Sequence, residues 1–216
     1  MNIRLVFALI VLSTLAGASC GQDLQLPVEG RWFVVQGGDT INVNHHMAVR
    51  PQWYGVDLAK VAGKTGRELS ASSPVKSDDF FSWGEPVKAP VDGEVVAAVN
   101  DRPDNKLGVK DAESPAGNYV SIKAGPRRFV FLAHFQRGSI AVKPGDHVIR
   151  GQFIGRCGNS GNTDFPHVHL HVQDSEVFNS GTGQNPVFSN IDVELNGKSF
   201  EGVTWPLIRG LFIQKR

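Results

Sequence analysis

The chain reads as an all-β protein of many short strands with long loops. Three observations predict this class. Short runs rich in Val, Ile, Phe and Tyr recur about every 8–12 residues, each closed by a Gly, Pro, Asn or Asp turn cue. No stretch carries the apolar period of a long helix. The 24 glycines and 12 prolines among 216 residues supply many turns. A weak internal echo, Gly84-Glu85-Pro86-Val87 and Gly145-Asp146-His147-Val148, places a strand after the same Gly-acid-x-Val core and hints at a doubled β unit.

Taken in order, residues 21–29 read as a short linker and the folded domain spans 30–216. Residues 32–35 form a β-rich run before the turn Gly37-Gly38, and 42–47 are polar and turn-like. Residues 54–59 alternate and form a strand carrying Asp57. The polar stretch 61–83 is an irregular excursion with room for one helical turn. Residues 86–99 hold two short strands about Val91-Asp92-Gly93, and Asp-Gly is a strong hairpin cue. Residues 100–117 are a loop. Strands follow at 118–124 and 128–134, joined by Gly125-Pro126, and shorter ones at 139–142, 147–149 and 152–156. The tail, 191–213, holds further β-rich segments around Asn196-Gly197.

Composition excludes some partners. Lys+Arg is 22 and Asp+Glu is 21, a net charge of +1. That balance argues against nucleic acid as a main partner, which usually demands a basic face. The first twenty residues have Arg4 as their only charge, an apolar run from Leu5 to Leu15 interrupted at Ser13 and Thr14, and small residues after it. They read as a secretory signal peptide, with Ala16-Gly17-Ala18 as a cleavage site. A rival reading takes the small residues before Cys20 as a bacterial lipoprotein signal, which makes a lipid anchor at Cys20 the only membrane contact. Gly17 stands where that pattern usually has Leu. Both readings place the mature protein outside the cytoplasm, in the periplasm or cell envelope. The second cysteine, Cys157, has no evident partner and reads as a small core residue.

The chemistry gathers between Gly155 and Asp174. The loop Gly158-Asn159-Ser160-Gly161-Asn162 leads to Pro166 and then to His167, His169 and His171 at alternate positions. In an extended strand these three imidazoles share one face. Neutral imidazole is the commonest protein ligand for metals. A polar, solvent-facing strand is the bland alternative. A hydrolytic zinc site needs three protein ligands and one open position. The candidates are His45, His46, Asp57, His134, His147 and the trio. A carboxylate at Asp57, in a strand with apolar neighbours, calls for a metal or a cationic partner if buried. His147, just after a Pro-Gly-Asp turn, reads as an exposed strand residue. His171 shares the face of His169 and has a role behind the ligands, a groove-lining role or a solvent role open to it.

Several pieces in order carry a resemblance: His46, Tyr-Gly-Val-Asp57-Leu-Ala, Ala-Pro-Val-Asp-Gly-Glu-Val, Leu-Ala-His134-Phe, Val-Lys-Pro-Gly-Asp-His-Val, Gly-Gln-Phe-Ile-Gly, Gly-Asn-Ser-Gly-Asn and Pro-His167-Val-His169-Leu. Together they resemble the lysostaphin-type, LytM-like zinc metallopeptidases of bacterial cell walls, from about Gly30 to Asp174. The resemblance implies a compact antiparallel β-sheet core of duplicated hybrid, barrel-sandwich-like type, and Zn2+ held by His46, Asp57 and His169. It implies catalytic roles for His134 and His167 in orienting water, taking its proton and stabilising the oxyanion. The chain departs from the family's His-x-x-x-Asp: Trp53 stands at that histidine's place. His46 and His45 lie eleven and twelve residues before Asp57. A divergent branch with Asn-x-His resembles Asn44-His45-His46, which favours His46 and keeps His45 in reserve.

Three functions follow as expectations. The first is an exported zinc endopeptidase hydrolysing amide bonds in peptidoglycan peptides by zinc-activated water. The second is a catalytically inactive LytM-like binding or regulatory module of the cell envelope. The third is a biotinyl- or lipoyl-type carrier domain. It fails for want of a lysine beside a methionine, since neither Met1 nor Met47 flanks one.

Overall fold

The computed structural model describes residues 23–216. Residues 1–20, read above as an export signal, lie outside the described residues, and Cys20 with them. Thirteen strands follow in order: β1 (Arg31–Gln36), β2 (Val56–Lys60), β3 (Pro86–Lys88), β4 (Gly93–Val99), β5 (Asn118–Gly125), β6 (Arg128–Phe135), β7 (His147–Val148), β8 (Phe153–Arg156), β9 (Val168–Gln173), β10 (Gly183–Gln184), β11 (Val187–Leu195), β12 (Lys198–Pro206) and β13 (Phe212–Lys215). Eleven of them make one sheet, ordered β12-β11-β13-β1-β2-β9-β6-β5-β4-β7 with β10 beside β9, while β3 and β8 form a second, two-stranded sheet. Every strand pairing is antiparallel, as the all-β reading expects.

The centre of the large sheet is buried on both faces. All six residues of β9 and seven of the eight in β6 are buried. On β9 the pleat sends Val168, Leu170 and Val172 into the apolar core, and His169, His171 and Gln173 to the opposite side. The core side packs with Leu58, Val130, Leu132 and Ile122. One element therefore anchors the fold with one face and presents imidazoles with the other. At the far edge, the Asn196-Gly197 turn joins β11 to β12. Both residues take positive φ, 50° and 76°, which suits a tight two-residue hairpin.

Four local expectations are corrected. Residues 86–99 are not a hairpin: β3 pairs with β8, whereas β4 pairs with β5 and β7. Gly93 serves close approach rather than a turn, since an added Cβ would stand 2.4 Å from the Lys123 carbonyl oxygen. Residues 139–142 form no strand; they run beside β8 and bond it from Ala141 N to Ile154 O at 3.1 Å. The strand bearing Asp57 begins at Val56, because Tyr54 sits in the left-handed region at φ 64° and turns the chain. Residues 24–28 do not behave as a free linker. Leu24, Leu26 and Val28 are buried in the core, and Leu24 N bonds Val187 O. Apolar side chains at alternate positions drive that packing. His147 is exposed and Cys157 is a buried free cysteine, as read from the sequence.

Candidate metal centre

Three adjacent strands set the site. Asp57 on β2 lies directly opposite His169 on β9, and His169 lies opposite Ala133 on β6. Cross-strand partners share a face, so the carboxylate and the imidazole meet without any loop contribution. Their closest approach is His169 Nδ1 to Asp57 Oδ1 at 2.9 Å. His134 arrives by a different device. Asn118 pairs with Phe135 and Tyr119 with Ala133, which leaves His134 as the extra residue of a β-bulge at φ 66°. Bulges re-aim side chains, and this one brings the His134 ring to 4.8 Å from His167 and 5.9 Å from His169, centroid to centroid.

His46 comes from a loop held by Asn44. The Asn44 amide nitrogen donates to the carbonyls of Gly38 and Gly55 at 2.8 and 3.0 Å. That orients its Oδ1, which accepts from His46 N at 3.1 Å and from His46 Nδ1 at 2.8 Å. The remaining nitrogen, His46 Nε2, lies 3.5 Å from Asp57 Oδ1. Trp53, at the family's usual ligand position, instead donates from Nε1 to Met47 O at 3.0 Å and braces the loop. Gly55 leaves room for the rings: an added Cβ would meet His46 Cγ and His169 Cε1, each at 3.2 Å.

Hydrogen bonds assign the tautomers of the other two histidines. His134 Nδ1 donates to Ser160 O at 2.8 Å, and His167 Nδ1 donates to Phe165 O at 2.8 Å. Each ring keeps a bare Nε2. His167 Nε2 lies 3.5 Å from Asp57 Oδ1.

Burial and the carboxylate divide these groups electrostatically. Burial pushes His46 down to about 3, against the pull of Asp57. Burial likewise holds His134 and His171 well below the ordinary imidazole value. Burial also acts on His167, but the Asp57 carboxylate and the Phe165 carbonyl outweigh it and raise this group. Burial acts to raise Asp57, yet His46, His167 and His169 together hold the carboxyl well below its usual range.

The donor set fits a zinc ion. Four-coordinate zinc, with bonds of about 2.0–2.1 Å, sets neighbouring ligand atoms roughly 3.3 Å apart. Asp57 is 5% exposed, and its Oδ1 has His46 Nε2 at 3.5 Å and His169 Nδ1 at 2.9 Å. A buried carboxylate ringed by imidazoles rather than by Lys or Arg lacks the fixed positive charge that burial demands, and a divalent cation would supply it. A second grouping, His45 with His46 and Asp57, has ligand atoms within 4.8 Å of one another. His45 is exposed, whereas His169 is buried and makes the shorter contact with Asp57.

The structure thus brings His46, Asp57, His134, His167 and His169 together, and leaves His147 outside. His171 is buried beside them rather than facing solvent. Sequence reasoning missed Gln173 and Ser160. Gln173 continues the alternation of the histidines by one step, a signal that was there to read. Ser160 acts through its backbone carbonyl, which no side-chain pattern announces.

Two clefts meet at these residues. One, of about 240 Å³, runs past His45, Gln52, Pro115, Asn162 and Phe178. The other, of about 430 Å³, runs past Gln36, Lys110, Asp164 and Phe165. His46 and His134 line both, so an extended chain crossing the site would lie over them.

The chain is 37% identical over 101 residues to the peptidoglycan DD-endopeptidase ShyA of Vibrio cholerae, covering 46% of this chain and 20% of that one. It is 30% identical over 112 residues to the glycyl-glycine endopeptidase ALE-1 of Staphylococcus capitis, covering 51% and 27%. The chain therefore spans about a quarter or less of these relatives' length. Among solved structures, a zinc-containing peptidase from Vibrio cholerae aligns over 76% of this chain and 39% of that one, at 21% identity and a TM-score of 0.44. The profile of Peptidase family M23 matches residues 77–186, a span that holds His134, His167 and His169 and begins after His46 and Asp57. That match takes in half of the chain, and the protein belongs to peptidase family M23.

Proposed function

We propose that this protein is an exported zinc endopeptidase that hydrolyses amide bonds in peptidoglycan peptides. The observation that carries the reading is the convergence of His46 Nε2, Asp57 Oδ1 and His169 Nδ1 beside two histidines with bare Nε2 atoms. A bound zinc supplies Lewis acidity and lowers the pKa of water to about 7. His46, Asp57 and His169 would hold it. His134, pushed down and neutral, accepts a proton at Nε2 from the attacking water. His167, held up by Asp57, is the ring better suited to carry a proton toward the departing amine. The clefts on either side accommodate an extended peptide. One relative is by name a peptidoglycan DD-endopeptidase and the other a glycyl-glycine endopeptidase, which supports a peptidoglycan peptide as the substrate class here. Residues 1–20 serve export, and Cys20 is the candidate lipid anchor. Among the described residues, no helix is long and apolar enough to cross a membrane.

Metal analysis and digestion of purified peptidoglycan test the proposal together. The purified protein is expected to carry about one zinc per chain. Asp57→Ala and His169→Ala are each expected to lose it, along with peptide release. A wild type that binds no zinc sinks the enzyme reading. Zinc with no cleavage of any peptidoglycan sample makes the protein a binding module of the envelope.

A further inference from the structure

We infer that His171 and Gln173 form a buried hydrogen-bond relay that orients His169 and holds its Nδ1 as a bare lone pair for the cation. The inference rests on the metal-site reading above and adds two positioning residues to it.

The polarity of the relay is readable from its far end. Gln173 Nε2 lies 2.7 Å from the carbonyl oxygens of both Ser175 and Val177. Carbonyl oxygens only accept, so this end of the amide is the NH2 group. Its other end, Oε1, faces His171 Nε2 at 3.1 Å and accepts. The His171 hydrogen is therefore on Nε2. His171 is fully buried, with its ring parallel to Phe131 at a 5.0 Å centroid separation and an interplanar angle of 2°, and Phe178 edge-on at 5.9 Å. These two neighbours and Gln173 offer no carboxylate, and a charged ring among them would go unpaired. A neutral ring with its hydrogen on Nε2 has a bare Nδ1. That atom lies 2.9 Å from His169 Nε2. His169 Nε2 donates to it, and the free electron pair of a neutral His169 is on Nδ1, aimed at Asp57 Oδ1.

Two acceptors 2.9 Å apart repel unless a positive charge joins them. A proton on His169 would join this pair alone and leave His46 Nε2 facing the same oxygen unsatisfied. A divalent cation uses all three donors at once. The relay thus selects the ligand atom: it occupies Nε2 and reserves Nδ1. A ligand histidine tied through its other nitrogen in this way typically gains about 10–100-fold in metal affinity over the untied ring.

Long-range nitrogen–proton NMR spectra of the chelator-treated protein read the relay directly. His171 is expected as the Nε2–H tautomer, with Nδ1 carrying a pyridine-type shift. The opposite tautomer overturns the inference whatever the protein does with metal. Zinc dissociation constants from chelator competition then separate positioning from packing. His171→Leu is expected to weaken zinc about 10–100-fold. His171→Asn, whose Oδ1 stands where Nδ1 was, is expected to restore most of that loss. Gln173→Met is expected to leave His171 as a mixture of tautomers. Wild-type zinc affinity in His171→Leu removes the relay and leaves the metal site standing. Failure of the wild type to bind zinc removes the metal site, while the tautomer measurement is decided separately.

Discussion

Asp57 is the residue on which the others converge. One oxygen, Oδ1, has His46, His167 and His169 nitrogens within 3.5 Å. A carboxylate in that setting is stable only if its neighbours supply positive charge. On the proposed reading, His46, Asp57 and His169 hold the metal, and His134 and His167 handle protons. His134→Ala and His167→Ala are each expected to lower peptidoglycan cleavage about 10²–10⁴-fold while zinc content stays at the wild-type level. Loss of zinc in either variant would move that residue into the ligand set. Asn44 is the counterpart for His46, since its amide is anchored on two carbonyls and offers Oδ1 to Nδ1. Asn44→Ala is expected to weaken zinc by about 10–100-fold, measured by chelator competition. An unchanged constant would show that backbone bonds alone orient the ring.

At the scale of elements, β9 joins stability to chemistry. Its apolar positions and its histidines alternate, so no register slip keeps both sets in place. Leu170 is fully buried opposite Val56 on β2 and Leu132 on β6. Leu170→Ala is expected to cost about 2–5 kcal/mol in urea unfolding. A cost under about 1 kcal/mol would mean that the core closes over the gap. The bulge at His134 is the second device, for it turns an inward strand position into one that reaches His167. A left-handed φ at a non-glycine residue costs about 1–3 kcal/mol and persists where the surroundings impose it. Here the sheet on both sides and the Ser160 carbonyl do so.

For the whole molecule, the buried imidazoles couple folding to pH. His46, His134 and His171 have folded values below their unfolded value of 6.5. As pH falls below 6.5, the unfolded chain takes up protons that the folded chain refuses, so stability falls. Each group adds a slope of up to about 1.4 kcal/mol per pH unit. His167 is raised, so its contribution is complete below 6.5 and is lost only as pH rises through its folded value. Asp57 is depressed, and its contribution is lost below about pH 4. Chelator-treated protein is therefore expected to lose urea resistance between pH 6.5 and about 4. A flat profile there would mean that these rings take up protons in the folded state.

The sequence by itself determined the all-β class, most strand positions and the family. Those depend on local alternation, turn chemistry and ordered motifs, which neighbouring residues carry between them. The same alternation pointed to His167, His169 and His171, because a strand's period is two whatever surrounds it. Only the tertiary structure decided how Asp57, His46 and His134 reach that strand. Asp57 arrives by strand pairing across 112 positions, His46 by an asparagine-anchored loop, and His134 by a bulge. The partner of 86–88 was equally hidden, since the Asp-Gly cue is local and the pairing of β3 with β8 is not. Non-local pairings are set by which faces must be buried together. That is a property of the whole folded chain, and no window of residues contains it.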